Sequence, residues 1–178
     1  HRAQHGVEAF LRADGDALQA YLAQPSGLAA GPDRLWFAAA GPEMQRLYAL
    51  AAELNVPVLM HFQEVNQPNS PGTFNTGLKQ FDLMLRKFPK TTFIGHADAF
   101  WANVSADYAE DTSYPKGPIK PGGVTDRFLG EYPNLYADLS AGSALRAIMR
   151  DKDRNHGRDF LLKYQDRLLF ARDYYGGQ

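Results

Sequence analysis

The stretch "KFPKTTFIGHADAF" (residues 87–100) decides how the rest of the chain is read. A tight Pro-Lys turn leads into the apolar run "TTFIGHA" (91–97), which is β-branched and aromatic and therefore strand-prone. The run ends on a histidine, a titratable group able to bind metal, where an ordinary turn residue would serve. Three other segments repeat the plan: "PVLMHF" (57–62), "LYADLS" (135–140) and "RLLFARD" (167–173). Each is short, has few polar breaks, ends on a polar group and leaves room for a helix before the next. Strands covered on both faces read this way, and strands alternating with helices predict βα units in a parallel sheet.

The intervening segments carry helical periodicity. "PEMQRLYALAAEL" (42–54) opens with Pro42 in the first turn and places Met44, Leu47, Leu50, Ala51 and Leu54 on one face. "GLKQFDLMLRKF" (77–88) does the same with Leu78, Phe81, Met84, Leu85 and Phe88, and "RDFLLKYQ" (158–165) is a shorter helix. Residues 6–24 read either as a helix broken at Gly15 or as a helix followed by a strand. Turns entering the four strands are only two or three residues long, whereas "QEVNQPNSPGTFNT" (63–76) and the segment 98–123 leaving the first two are long. In parallel α/β folds ligands sit at the carboxyl ends of the strands, so the long-loop side is the expected working face.

Composition narrows the chemistry. The 178 residues are enough for one domain with a sizeable core, and no linker divides them. Nineteen basic and twenty acidic side chains give a net charge of −1, with no basic stripe to follow a phosphate backbone, so nucleic acid is not an expected partner. No apolar stretch approaches the ~20 residues that span a bilayer, and "HRAQHGVEAF" (1–10) lacks the pattern of a signal peptide. No membrane partner is expected, and the expected compartment is the cytoplasm. With no cysteine, disulfides, thiolate metal sites and cysteine nucleophiles are excluded, leaving histidine and carboxylate as the strong metal ligands.

Three residues stand at strand ends on the expected working face: His61, His96 and Asp173. Two imidazoles and a carboxylate suit a divalent metal, Zn first and Mn or Fe as alternatives, with a position left for water that would ionise near neutral pH. Taken singly, His61 could bond a backbone carbonyl and Asp173 could cap a helix. Asp98 and Trp101, just beyond His96, could orient the imidazole or line a pocket. Asp138 and Ser140 end the third strand, but Ser140 lacks the glycines of a nucleophile elbow. Glu64 reads as an exposed loop acid, His156 as a surface helix start, and the His1/His5 pair as a terminus. No glycine-rich phosphate loop follows any strand, which argues against a Rossmann-like nucleotide binder.

"VPVLMHF", "KFPKTTFIGHA", "YPNLYADLSA" and "DRLLFARDYY" resemble, in that order and spacing, the last four barrel strands of the amidohydrolase-related metal-dependent hydrolases, in the branch that includes aminocarboxymuconate-semialdehyde decarboxylase. The likeness runs over about residues 42–175 and is loose in the loops. It implies a (β/α)8 TIM-type barrel, present here as its last four to five βα units, with a divalent metal at the carboxyl face. It further implies that His61 is a metal ligand, that His96 is a ligand or the base that activates water, and that Asp173 is a ligand and proton carrier. The implied activity is a metal-dependent hydrolase or decarboxylase acting on a small, carboxylated organic molecule.

Two departures qualify the likeness. The H-x-H pair of the family's first strand has no counterpart, since His1 and His5 have the wrong spacing, and four strands cannot close a barrel of eight. The chain is therefore expected to be a single hydrolase domain, 1–178, truncated on its N-terminal side. Arg172 stands where the family has a small residue; a cation there would bind a substrate carboxylate or repel the metal. The rival expectation is a non-catalytic barrel fragment whose uncovered sheet associates with a partner or with itself as a homo-oligomer.

Overall fold

The computed structural model describes residues 30–31, 34–35, 39–62, 78–108, 117–150 and 155–171. In chain order the elements are β1 (Ala30–Gly31), β2 (Arg34–Leu35), α1 (Pro42–Leu54), β3 (Val58–His61), α2 (Lys79–Lys87), β4 (Phe93–His96), α3 (Asp98–Ala102), α4 (Val124–Glu131), β5 (Leu135–Asp138), α5 (Ala141–Ile148), α6 (Asn155–Lys163) and β6 (Leu168–Leu169). Strands β3 to β6 form one sheet in sequential order with every pairing parallel, as the four apolar runs predict. β1 and β2 make a separate antiparallel pair. Of the last run, 167–171 are described and β6 takes up Leu168–Leu169, and the segments 1–29 and 172–178 lie outside the described residues. No helix among the described residues is long and apolar enough to cross a membrane.

The register separates the two faces of the sheet. Met60, Gly95 and Ala137 align across three strands, as do Val58, Phe93 and Leu135. These residues turn toward the helices, and Phe93, Leu135 and Ala137 are fully buried. The core on that side is largely aromatic: Phe93 meets Tyr48 and Phe81 edge-to-face at 5.0 and 5.6 Å, and Phe81 meets Phe128 at 6.3 Å. Leu59, Ile94 and Tyr136 form an aligned row on the opposite face. There Leu59 is 53% exposed while Ile94 and Tyr136 are half-buried. Alternation along a strand thus puts one face against helices and leaves the other more open.

The helices follow their sequence signals with one shift. α1 begins at Pro42 and ends where Asn55 takes a left-handed conformation, its N–H closing on Ala51 and Ala52. Its buried line runs through Tyr48 and Ala51, and the predicted face position Leu54 is exposed. The reason is Tyr48, whose ring packs on Phe88 and Phe93 while its hydroxyl donates to Ala39 O at 3.0 Å, rotating the helix toward it. In α2 the predicted positions Phe81, Met84 and Leu85 are all buried. Asn134, in the turn entering β5, donates to the carbonyls of Leu85, Phe88 and Thr91 at 3.1–3.2 Å and ties that turn to the one entering β4. Short entry turns cross-braced in this way hold the strand ends in step.

A surface network offers a check on this packing. Asp82 of α2 accepts from the Tyr132 hydroxyl and from Arg86, with Arg127 at 3.5 Å. Partial burial works against its ionisation, but those hydrogen bonds and the two guanidinium charges outweigh it and hold Asp82 below the usual carboxylate range. A depressed folded-state value means the stabilisation is complete above the unfolded aspartate range near pH 4 and is lost as pH falls through the folded value. Urea titrations of wild type and Asp82→Asn should therefore differ at pH 7 and converge as the pH falls below the unfolded aspartate range. A gap between them that does not change with pH would contradict this role.

Candidate functional site

The ends of three parallel strands bring the site together. His61 and His96 are direct partners in the β3–β4 register, so both side chains leave the same face at the carboxyl edge. Their ring centroids lie 5.1 Å apart with planes tilted by 58°. His61 is exposed, whereas His96 is 6% exposed. The backbone locks the edge: Phe62 N–H donates to His96 O, and Ala99 N–H donates to Phe62 O.

Two small residues flank His96 for different reasons. A Cβ on Gly95 would lie 2.3 Å from the Phe100 ring, so only glycine lets that ring pack under the strand. Ala97 is held at φ 75°, ψ −176°, a region that L residues other than glycine rarely occupy and that costs on the order of 1–3 kcal/mol. This turn reverses the chain into α3, a short helix inside the segment read from sequence as a long loop. Ala97→Gly should relieve the strain and, after the entropy cost of glycine, raise stability by about 1 kcal/mol. Thermal unfolding would show it, and a lower melting temperature would contradict the assigned backbone.

Beside His96 stands a buried carboxylate. Asp138 lies one residue past the Gly95–Ala137 pair, as His96 does, so the two side chains are neighbours across β4 and β5. His96 Nδ1 is 2.8 Å from Asp138 Oδ1, and Ser140 Oγ donates to Asp138 Oδ2 at 2.7 Å while lying 3.2 Å from the same Nδ1. Asp138 and Ser140 are each 3% exposed. Burial opposes ionisation of Asp138, but the bonds from His96 and Ser140 outweigh it and keep the group below the ordinary aspartate range. An ionised carboxylate only accepts, so the proton in this contact belongs to Nδ1 and the second nitrogen, Nε2, is the one Asp138 does not touch.

The predicted residues are thus unequally placed. His61 and His96 are brought together. Asp173 and Arg172, as well as Glu64, His1 and His5, lie outside the described residues. Trp101 is 0% exposed, packs edge-to-face on Phe100 and Phe160, and donates its indole N–H to Asp138 O at 3.0 Å. So enclosed, Trp101 touches the site through Asp138. Sequence reading named Asp138 and Ser140 but gave them no part in the site. The signal was present: "FIGH" (93–96) and "LYAD" (135–138) are both four-residue strands ending on a polar group.

Among the described residues, no group of three or more His, Cys, Asp or Glu is spaced to hold an ion. Two imidazoles around one tetrahedral ion, each nitrogen about 2.1 Å from it, would have centroids roughly 5 Å apart, which the His61–His96 pair matches. A histidine ligand commonly donates its other ring N–H to a carboxylate, as His96 does to Asp138. That separation is also the ordinary one for registered neighbours on strands about 4.8 Å apart, so the described residues place two imidazoles and one supporting carboxylate side by side without completing an ion site.

Fold and site together define an α/β protein whose parallel four-stranded sheet carries a paired-imidazole and carboxylate cluster at the carboxyl ends of its strands. No family model matches the chain, and no curated protein matches it. Among solved structures it is similar to a dihydroxybenzoic acid decarboxylase from Polaromonas sp. JS666 with bound manganese and an inhibitor, 2-nitroresorcinol. The identity is 16% over 83% of this chain and 48% of that one, with a TM-score of 0.41, so the chain spans about half of that protein's length.

Proposed function

We propose that this chain is part of a metal-dependent hydrolase or decarboxylase of the amidohydrolase-related type, built on a TIM-type barrel and acting on a small, carboxylated organic substrate. The observation that supports this reading best is the registered His61–His96 pair at 5.1 Å with the Nδ1 of one ring held by a buried carboxylate. In this reading His61, His96 and Asp173 surround a divalent cation, Zn or alternatively Mn or Fe. When bound, the cation supplies Lewis acidity toward a substrate oxygen.

The chain's own residues do the rest. Asp138 keeps the Nδ1 proton on His96 and so presents Nε2, either as a ligand or as the atom that takes and returns a proton. Asp173 is the second proton carrier. Arg172, beside it in sequence, binds the substrate carboxylate by paired N–H donors. Hydrolysis and decarboxylation share this ligand set, and the carboxylated substrate is common to both.

The test is metal analysis of the protein together with hydrolase and decarboxylase assays on small aromatic and aliphatic carboxylic acids. His61→Ala and His96→Gln, both checked for folding, serve as controls. Stoichiometric metal that is lost in His61→Ala, with activity lost in both variants, is the expected result. A metal-free protein, or activity that survives His96→Gln, would sink the reading.

A further inference from the structure

We infer that Asp138 is the positioning residue of this site: it sets the tautomer and direction of His96, with Ser140 and Trp101 holding Asp138 in turn. The inference rests on reading His96 as the functional imidazole and goes further by assigning the groups that make it so. A histidine needing only a partner for Nδ1 could use a backbone carbonyl, which is cheaper to bury than a carboxylate. Here an ionisable oxygen takes that place at 2.8 Å, with both residues almost wholly enclosed.

Every acceptor on Asp138 has a donor. Oδ1 takes His96 Nδ1, Oδ2 takes the Ser140 hydroxyl, and the main-chain carbonyl takes the Trp101 indole at 3.0 Å. The next residue is tied as well, Leu139 N–H donating to Leu169 O across to β6. The Ser140 proton points at Oδ2, so toward Nδ1 its oxygen can only accept, at 3.2 Å. Two acceptors therefore converge on one ring nitrogen, and the neutral ring has one way to satisfy both: a proton on Nδ1 and a lone pair on Nε2. The lone pair is what a cation or a proton needs. Without Asp138 the ring could turn, or move its proton to Nε2 and lose that lone pair. The device is built from strands β4 and β5 and from helix α3, all part of the packed sheet, so it exists before any ligand arrives.

The experiment is 15N NMR of the full chain labelled at histidine, at a pH where the imidazoles are neutral, with the His96 resonances assigned by their loss in His96→Gln. The expected spectrum is the Nδ1–H tautomer in wild type and in Ser140→Ala, and a gain of the Nε2–H form in Asp138→Ala. A wild-type ring protonated on Nε2 overturns the inference whether or not the Asp138 variant folds, and so does an unchanged tautomer in folded Asp138→Ala. Titration with Zn2+ or Mn2+ separates this from the functional reading. Asp138→Ala should weaken the metal's effect on the His96 signal by about 10- to 100-fold in concentration. If neither metal perturbs His61 or His96 in wild type, the metal reading fails while the tautomer result stands.

Discussion

Trp101→Ala should lower the unfolding free energy by about 3–5 kcal/mol, the cost of emptying a fully enclosed site of its largest side chain. The loss has two sources. The ring is wedged between Phe100 and Phe160, and so joins α3 to α6 across the end of the sheet. Its indole N–H also satisfies Asp138 O, which would otherwise remain buried without that donor. Trp101→Phe keeps most of the ring area and removes only the N–H, so it should cost about 1–3 kcal/mol. Urea denaturation of both variants checks the order. Were Trp101 principally a substrate-contacting residue, both variants would keep wild-type stability and change only the Michaelis constant.

His96→Ala should also cost stability, by about 1–3 kcal/mol, because it strips a buried carboxylate of its imidazole donor while Asp138 stays enclosed. His61→Ala should fall within about 0.5 kcal/mol of wild type, because that ring is exposed. The two histidines, equal in a metal reading, are thus unequal in a folding one. If the loss of metal binding in His61→Ala comes without loss of stability, the effect belongs to the site. A His61 variant as unstable as the His96 variant would show that both rings are structural. For this reason His96→Gln, which keeps a side-chain amide facing Asp138, is the better functional control.

Much of the fold could be read before any coordinates. Four apolar runs with few breaks, joined by helix-length segments and entered through two- or three-residue turns, leave little but a sequential parallel sheet, and the order β3-β4-β5-β6 follows. The helix α2 was equally plain, because its apolar positions repeat every three and four residues. Less was visible in segment 98–123, where α3 lies: five residues are too few for periodicity to show, and the helix starts from a strained alanine instead of a recognisable cap. Nor could the buried face of α1 be read in full, since it depends on Tyr48 finding Phe88 and Phe93, 40 and more residues away.

For the site, residue type and strand position were enough to single out His61 and His96, because a strand's end determines which edge of the sheet its last side chain meets. What they do there was decided by tertiary contact. Asp138 and Ser140 lie 42 and 44 residues from His96, and nothing local distinguishes a strand-end aspartate that faces water from one enclosed with an imidazole. Periodicity reports which face of an element is apolar. Only the register between β4 and β5 places a carboxylate 2.8 Å from the Nδ1 of His96.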